Sequence, residues 1–216
     1  MERFQSTPRV LWTWLQGLGP QIRRQLRYCV GRLWLNAFGW KEDGVLPDVP
    51  KAVVIAYPHT TNWDLPFMLA IAYVMDLEVR WLGKRSLFRP PFGPLMRWLG
   101  GIAVNRSQRT RKVDAVADTI RNMPRGMVMI PPEGTRGKAG NWKSGFYWVA
   151  VKAEVPIVLG YLDFKKRRGG VVTTITPTGN IDQDMVTIRD AYRGVQGKHP
   201  DRQGDIALCD RKADPG

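Results

Sequence analysis

The hydrophobic positions of the chain fall into short apolar runs that alternate with segments of helical spacing. Apolar runs at residues 52–56, 127–130 and 155–160 are punctuated by glycine or proline and predict buried strands. Residues 65–75 predict a long apolar helix, and residues 113–123 repeat apolar side chains at the spacing of a surface helix. Because strands and helices alternate, the sequence predicts an α/β fold with a mostly parallel central sheet flanked by helices.

The first part of the chain, residues 1–40, has a different pattern. Apolar residues recur at helical spacing around a Gly-Pro break, with basic residues largely between them, which predicts an N-terminal pair of amphipathic helices. Tryptophan and arginine at such helices are typical of membrane-associating segments. We therefore expect membrane-interface helices over 1–40 and the α/β domain over 41–216. The alternative is a helix pair packed on that domain with its arginines in solvent. The residues concerned are Trp12, Trp14, Trp34, Trp40, Arg23, Arg24, Arg27 and Arg32.

Several polar segments separate the predicted elements. Residues 41–50 contain a glycine and two prolines and are predicted to link the N-terminal helices to the domain. The basic run at residues 165–170 precedes an alternating pattern and is predicted to be a hairpin loop. Residues 182–194 are predicted to form a closing helix. The polar tail from Lys198 is predicted to be loose.

The charge of the chain narrows the range of partners. Its 216 residues carry a formal net charge of +14, with a pI near 10.2. So much basic charge indicates an anionic partner: nucleic acid, an anionic membrane or a phosphorylated substrate. Because no recognised nucleic-acid module is present, we expect no nucleic-acid partner.

The cysteines and the apolar stretches do not indicate a disulfide-rich, secreted or membrane-spanning protein. Cys29 and Cys209 lie near opposite ends and are the only cysteines, so we expect no disulfide framework and no metal site. A reducing compartment is the simpler interpretation. No signal-peptide pattern is present, and no apolar stretch reaches the ~18 residues that span a bilayer.

The first segment with candidate catalytic residues lies between the strand at 52–56 and the helix at 65–75. His59 is placed at the carboxyl end of a strand, where open α/β sheets build their sites. Asp64 follows five residues later, close enough to reach back to the imidazole. A carboxylate that holds an imidazole in one tautomer makes it a positioned general base near neutral pH. The alternative is a capping box, in which Asp64 only satisfies an amide at the start of the helix.

The second such stretch follows the strand at 127–130. A glycine-rich turn lets backbone amides approach an anion, and Arg136 and Lys138 add positive charge. Glu133 could orient a basic residue or bind a substrate hydroxyl. The spacing is not that of a P-loop. Taken alone, the segment is more typical of a basic solvent loop.

Four blocks of the sequence, taken together, resemble the glycerolipid acyltransferases, a family that includes the bacterial 1-acyl-sn-glycerol-3-phosphate acyltransferases. The resemblance covers roughly residues 50–160 and includes the aromatic-Lys-x-Gly block at 142–145. The blocks follow in the family's order: His59-x4-Asp64, Gly100-x-x-Ala103-x-x-Arg106, Glu133-Gly134-Thr135-Arg136 and Val155-Pro156-Ile157-Val158. The sequence departs from the usual family residues at Pro58, Ala103, Asn105 and Pro131, which leaves the acceptor open.

The resemblance implies a reaction and a set of roles. His59, oriented by Asp64, would deprotonate an acceptor hydroxyl, which attacks an acyl-CoA or acyl carrier protein thioester, and no cofactor would be needed. The acceptor would be a lysophospholipid such as 1-acyl-glycerol-3-phosphate, in phospholipid biosynthesis at the cytoplasmic face of the cell membrane. The enzyme would be peripheral or monotopic on an anionic phospholipid surface. Implied substrate-binding residues are Arg106, Glu133, Gly134, Thr135, Arg136, Lys84 and Lys143, with Arg85 and Lys138 as further candidates.

Three other interpretations stay open at this point. A non-enzymatic basic protein that binds nucleic acid or an anionic membrane fits the charge, although no recognised nucleic-acid module is present. A lipid esterase would use water in place of the acceptor, although the sequence has no G-x-S-x-G elbow. An acyltransferase acting on another glycerolipid or on a glycolipid fits the same blocks. The sequence does not distinguish the acyl-chain length, the carrier of the donor or the sn-position.

Overall fold

The computed structural model describes residues 19–104, 112–138 and 140–209. Its main sheet contains β1 (Lys41–Gly44), β2 (Lys51–Tyr57), β3 (Val79–Lys84), β4 (Gly101–Val104), β5 (Gly126–Ile130), β7 (Ile157–Asp163) and β8 (Arg168–Ile175). A separate short pair is formed by β6 (Asn141–Trp142) and β9 (Asp205–Leu208). The helices are α1 (Pro20–Ala37), α2 (Asp64–Val74), α3 (Gly93–Trp98), α4 (Lys112–Asn122), α5 (Gly145–Ala153) and α6 (Ile181–Ala191), with 3₁₀ turns at Arg85–Phe88 and Pro200–Arg202.

The main sheet is mostly parallel, as predicted. Its strand order is β1-β8-β7-β2-β5-β3-β4. From β7 to β4 all neighbours are parallel, whereas β8 is antiparallel to β7 and pairs in parallel with β1. Because β2, β3, β4 and β5 run in one direction, their carboxyl ends meet at one edge of the sheet. The two segments with candidate site residues, around His59 after β2 and around Glu133 after β5, both lie at that edge.

Both faces of the sheet are covered, which explains the continuous apolar runs of the central strands. Val54 and Ala56 of β2 face a core shared with α2. Val53, Ile55 and Tyr57 of the same strand face a second core shared with α4, α5 and α6. The two cores therefore hold β2 from both faces of the sheet, and with it the start of the turn that follows.

The prediction of a linker over residues 41–50 is wrong for its first part. Lys41–Gly44 forms the edge strand β1, paired with β8 from Lys41 opposite Arg168 to Gly44 opposite Val171. The strand is polar and largely exposed because it lies at the sheet edge. Such a strand has no hydrophobic alternation from which it could be predicted.

The prediction of a loose tail from Lys198 is also wrong over the described part. Residues 200–202 form a 3₁₀ turn, and β9 pairs with β6, with Asn141 opposite Asp205. The Cys209 backbone N–H donates to the Trp142 carbonyl at 2.9 Å. A polar composition did not indicate this order, because the contacts are made mainly by backbone and amide groups.

The N-terminal helix α1 is attached firmly to α2, and the first predicted helix, with Trp12 and Trp14, lies outside the described residues. A Cβ at Gly31 would lie 2.6 Å from the Ala70 carbonyl oxygen, so the two helices approach closely there. Trp40 is buried in the core, and Trp34 packs between Phe38 and Phe67. These two tryptophans therefore contribute to the packing of this segment against the domain.

Three of the four arginines of α1 also have partners within the domain. Arg32 binds both carboxylate oxygens of Glu42 at 2.7 and 2.8 Å, and Arg24 pairs with Asp76. Arg27 lies 5.5 Å from the centroid of the Tyr73 ring. These contacts agree with the packed-helix alternative. No helix in the described ranges has both the length and the apolar character needed to cross a bilayer.

Candidate active site

The predicted His59–Asp64 pair forms in the turn between β2 and α2. The chain leaves β2 through a cis Tyr57–Pro58 peptide bond and enters α2 at Asp64. The His59 Nδ1 lies 3.1 Å from Asp64 Oδ2. The Asp64 side chain is fully buried, whereas one fifth of the His59 side chain is exposed. The acid is thus behind the imidazole, and Nε2 is left for a substrate. We call residues 58–64 the catalytic turn, after the catalytic role predicted from the sequence for His59 and Asp64.

Asp64 also fixes the backbone of the turn. Its Oδ2 accepts the Thr61 backbone N–H at 2.9 Å, while Trp63 occupies the N-cap position of α2. The two sequence interpretations are therefore compatible: the carboxylate serves a backbone amide near the helix start and also contacts the imidazole. Nδ1 lies within hydrogen-bond distance of Oδ2, but the contact does not have the geometry of a hydrogen bond. Catalytic hydrogen bonds often tighten only when substrate is bound.

Glu133 lies beneath the catalytic turn rather than at the surface. It is only 3% exposed. Its Oε2 accepts the His59 backbone N–H at 2.5 Å, and its Oε1 accepts the Gly204 backbone N–H at 3.2 Å. Burial raises the pKa of the Glu133 carboxyl, while the two backbone hydrogen bonds and the nearby His59 act against that rise. Both carboxylate oxygens are therefore already engaged by backbone amides.

The residues after Glu133 form an exposed cationic loop, which we define as residues 134–138. Gly134 has φ of +67°, and a Cβ there would lie 3.2 Å from Cδ and Cε of Lys143. The glycine thus lets the Lys143 side chain lie directly against the loop. Arg136 is exposed, and the Thr135 hydroxyl accepts the Gly137 N–H at 3.2 Å. The structure thus brings Lys143 to the loop that carries Gly134, Thr135 and Arg136.

The two remaining predicted binding residues are Lys84 and Arg106. Lys84 is the last residue of β3, at the edge of the sheet where the carboxyl ends of the parallel strands meet. It is exposed and pairs in register with Val104. Arg106 follows β4 by two residues but lies outside the described residues. Within the described ranges, Lys84, Arg136 and Lys143 form no ion pair with an acidic side chain. Nor does any group of three His, Cys, Asp or Glu side chains there suit a metal ion.

The sequence patterns missed three residues at the site. Tyr57, Gln203 and Gly204 lie around the turn: the Gln203 Nε2 donates to the Tyr57 hydroxyl at 2.6 Å, and Gly204 donates to Glu133. Burial raises the pKa of Tyr57 to about 12, so its hydroxyl is protonated at neutral pH. The only available signal was the place of Tyr57 at a strand end. No local pattern links residues that are 146 positions apart.

A groove of about 510 Å³ adjoins the catalytic turn. It lies between the end of α1, the start of α2 and the β7–β8 hairpin. The Lys198 Nζ lies 5.1 Å from the centroid of the Trp63 ring. The groove thus combines aromatic walls with a positively charged margin, and its lining includes Phe38, Trp40, Trp63, Phe67, Phe164, Arg167 and Lys198.

Comparison with known proteins identifies the family. Residues 44–159, more than half of the chain, match the family model described as Acyltransferase. The chain belongs to the Acyltransferase family. The match covers the catalytic turn, β4, the cationic loop and the start of β7. It ends before α6 and before the segment that contains Gln203 and Gly204.

Named relatives of this acyltransferase are found in bacteria and in man. The chain is 30% identical over 138 residues to the 1-acyl-sn-glycerol-3-phosphate acyltransferase of Haemophilus influenzae, covering 59% of this chain and 55% of that protein. It is 36% identical over 115 residues to the human 1-acyl-sn-glycerol-3-phosphate acyltransferase beta, covering 50% and 40%. The chain thus spans about half the length of the curated relatives it matches.

The fold also matches a solved structure. The crystal structure of the 1-acyl-sn-glycerophosphate (LPA) acyltransferase PlsC from Thermotoga maritima superposes with a TM-score of 0.58. The match covers 85% of this chain and 83% of that chain at 16% identity. At that identity the match supports the fold, and the chemistry of this acyltransferase has to be argued from its own residues.

Proposed function

We propose that the protein transfers a fatty acyl group from an acyl-CoA or acyl carrier protein thioester to a hydroxyl of a lysophospholipid such as 1-acyl-glycerol-3-phosphate. The observation that carries this proposal is the His59 Nδ1–Asp64 Oδ2 distance of 3.1 Å at the carboxyl edge of a parallel sheet. The names of the relatives support the choice of acceptor. The reaction would serve phospholipid biosynthesis.

The geometry supports catalysis by one general base. The His59 Nε2 takes the proton of the acceptor hydroxyl as that oxygen attacks the thioester carbon. Asp64 stabilises the imidazolium that forms. The tetrahedral intermediate collapses, the C–S bond breaks, and the thiolate takes the proton back from His59. A thiol of pKa about 8.5 leaves without a strong acid, so no covalent enzyme intermediate is needed.

The cationic side chains at the carboxyl edge of the sheet would hold the phosphate of the acceptor. Arg136 and Lys143 lie on and against the cationic loop, and Lys84 ends the neighbouring strand β3. Arg106 is the further candidate after β4. Arginine binds phosphate with two parallel hydrogen bonds, whereas lysine acts as a point charge. Glu133 would contribute through the backbone of His59, because both of its oxygens already accept amides.

The groove beside the catalytic turn would receive an acyl chain. Its aromatic walls suit an elongated apolar group, and Trp63 joins it to the turn that carries His59. We expect Trp63→Ala to raise the KM for long-chain acyl donors more than the KM for short-chain donors. Equal changes for both would exclude this groove as the chain-binding site.

Thiol release from palmitoyl-CoA by purified protein in detergent, with a panel of acceptors, tests the proposed reaction. We expect release that depends on an added lysophospholipid and is fastest with lysophosphatidate. Release of equal rate without any acceptor would instead indicate the esterase. Faster release with a glycolipid or lysophosphatidylglycerol would reassign the acceptor. A parallel assay with acyl carrier protein thioester identifies the donor.

The membrane surface is the second part of the proposal. Ile22, Val30 and Leu33 lie on one side of α1 by helical spacing and are 57%, 47% and 72% exposed. Such a face, on a protein of net charge +14, suits the cytoplasmic surface of an anionic membrane.

Vesicle flotation tests this orientation. Leu33→Glu is expected to weaken binding to vesicles of phosphatidylcholine and phosphatidylglycerol by about tenfold, since it places a charge in the apolar face. The matched control is Val186→Glu, because Val186 is a 48% exposed apolar residue of α6. Equal binding by the two variants would exclude α1 as the docking helix.

A further inference from the structure

The segment that follows α6 closes against the catalytic turn. We define this closing segment as residues 195–204. Gly197 is buried so close to the turn that a Cβ there would lie 3.0 Å from the side chain of Thr60 and 3.1 Å from Pro58. The His199 backbone N–H donates to the Thr60 hydroxyl at 3.3 Å. The closing segment therefore forms part of the wall around His59, although it lies outside the stretch matched to the family model.

Both ends of the closing segment are anchored elsewhere. Before it, the buried Tyr192 hydroxyl donates to the Gly160 carbonyl at 3.0 Å. After it, β9 pairs with β6. Its position against the catalytic turn is thus supported by two independent attachments, and a single side-chain truncation within it leaves both in place.

Gln203 is the side chain that holds the closing segment together. Its Nε2 donates to the Tyr57 hydroxyl at 2.6 Å and to the Val195 carbonyl at 3.0 Å. Its Oε1 accepts the Gly197 backbone N–H at 2.9 Å. One amide thus ties the start of the segment to the last residue of β2, immediately before the catalytic turn.

The residue after Gln203 continues the connection to the histidine. Gly204 donates its N–H to one oxygen of Glu133, and the other oxygen accepts the N–H of His59. The path from Gln203 to His59 therefore consists of one peptide unit and one buried carboxylate. On the other side of His59, the carboxylate of Asp64 contacts the ring.

We propose that Gln203 is a positioning residue for the catalytic base: through Tyr57, Gly204 and Glu133 it fixes the backbone from which His59 is presented. This inference rests on the proposed function for its kinetic consequence, but its structural consequence is independent of activity. Gln203 touches neither His59 nor the reacting atoms, so it acts only through the groups it holds.

The expected signature is a loss of rate without a loss of affinity. Displacing a base by about 1 Å costs up to about a hundredfold in rate. We expect Gln203→Ala to lower kcat about tenfold or more and to leave the acceptor KM within about twofold. The matched control is Gln196→Ala, because within the described residues the Gln196 side chain makes no hydrogen bond and only its backbone carbonyl accepts, from Phe164.

An NMR measurement separates this inference from the proposed function. The chain contains two histidines, so selective ¹⁵N-histidine labelling gives two backbone amide signals, and His59→Ala assigns them. The short bond to Glu133 places the His59 amide signal downfield. Gln203→Ala is expected to move that signal upfield, whereas Gln196→Ala leaves it in place. This result would support the inference even if no acceptor in the panel were used.

Two outcomes would overturn the inference. One is a folded Gln203→Ala protein whose His59 amide signal is unchanged, and the other is a kcat within twofold of wild type in an active preparation. If Gln203→Ala does not fold, Tyr57→Phe removes only one of the three hydrogen bonds of Gln203. That variant is then expected to shift the signal and the kcat in the same directions by smaller amounts, and no shift would again overturn the inference.

Discussion

The catalytic turn and the cationic loop lie at the same edge of the sheet but are built in opposite ways. In the catalytic turn two backbone amides and one hydroxyl are paired within the protein: the His59 N–H with Glu133, the Thr61 N–H with Asp64 and the Thr60 hydroxyl with the His199 N–H. In the cationic loop, Arg136 and Lys138 are exposed and have no acidic partner among the described residues.

This difference matches the two tasks that the site would perform. General-base catalysis depends on a geometry fixed before the substrate arrives, and buried partners provide it. Binding a phosphate depends on charges that are free to pair with it, and exposed side chains provide those. Substitutions in the turn should therefore lower kcat, whereas substitutions in the loop should raise KM.

The largest effect is expected at the carboxylate behind the base. Asp64→Asn keeps the shape of the side chain but removes the charge that stabilises the imidazolium, so we expect kcat to fall about a hundredfold or more. Steady-state kinetics with lysophosphatidate measures this change. Asp48→Asn, at an exposed residue remote from the turn, is the control. A fall of less than about fivefold would mean that Asp64 only caps α2.

A smaller loss of rate is expected at Glu133. In Glu133→Gln the new NH₂ group would face a backbone N–H, because both carboxylate oxygens accept amides in the wild type. Leaving such a buried donor unpaired costs about 1–3 kcal/mol. We expect kcat to fall roughly tenfold, from a loosened His59 backbone. Glu78→Gln, at an exposed glutamate before β3, should change neither kcat nor the free energy of unfolding.

The same variant tests the raised pKa of Glu133. A carboxyl whose pKa is higher in the folded than in the unfolded state binds its proton more tightly when folded. Its contribution to the free energy of unfolding is therefore fully present below the unfolded pKa and is lost as the pH rises through the folded pKa. The stability difference between wild type and Glu133→Gln should grow as the pH falls. A pH-independent difference in urea titrations would show that the pKa is not raised.

The smallest effect is expected in the cationic loop. Arg136→Gln and Lys143→Gln each remove one exposed cation, so we expect a several-fold higher KM for lysophosphatidate, a nearly unchanged kcat and a loss that shrinks with added salt. Arg125→Gln is the control, because Arg125 is exposed and precedes β5 at the opposite end of the strand. A fall in kcat with unchanged KM would contradict the division between turn and loop.

The sequence predicted the local part of the site well. Strand, turn and helix are consecutive around His59 and Asp64, so spacing alone brought the pair together. The parallel sheet then placed the cationic loop at the same edge. Lys143 was predicted from its block, and its contact with Gly134 follows from the left-handed backbone of that glycine.

The non-local part of the site could not be predicted from the sequence. Glu133 was expected to orient a basic residue or to bind a substrate hydroxyl, and no sequence pattern indicated that its two oxygens accept amides from residues 74 and 71 positions away. The part of the closing segment from Lys198 onward was expected to be loose because it is polar, but backbone and amide hydrogen bonds order it. Hydrophobic patterns carry no signal for such contacts.

The most direct test of the account is the thiol-release rate of His59→Ala beside wild type with lysophosphatidate and palmitoyl-CoA. His199→Ala is the control, because His199 meets the catalytic turn through its backbone N–H, which alanine retains. With equal melting temperatures, we predict that His59→Ala loses at least about a hundredfold in kcat and that His199→Ala stays near wild type. A His59→Ala protein with activity within a few-fold of wild type would contradict the assignment of His59 as the catalytic base.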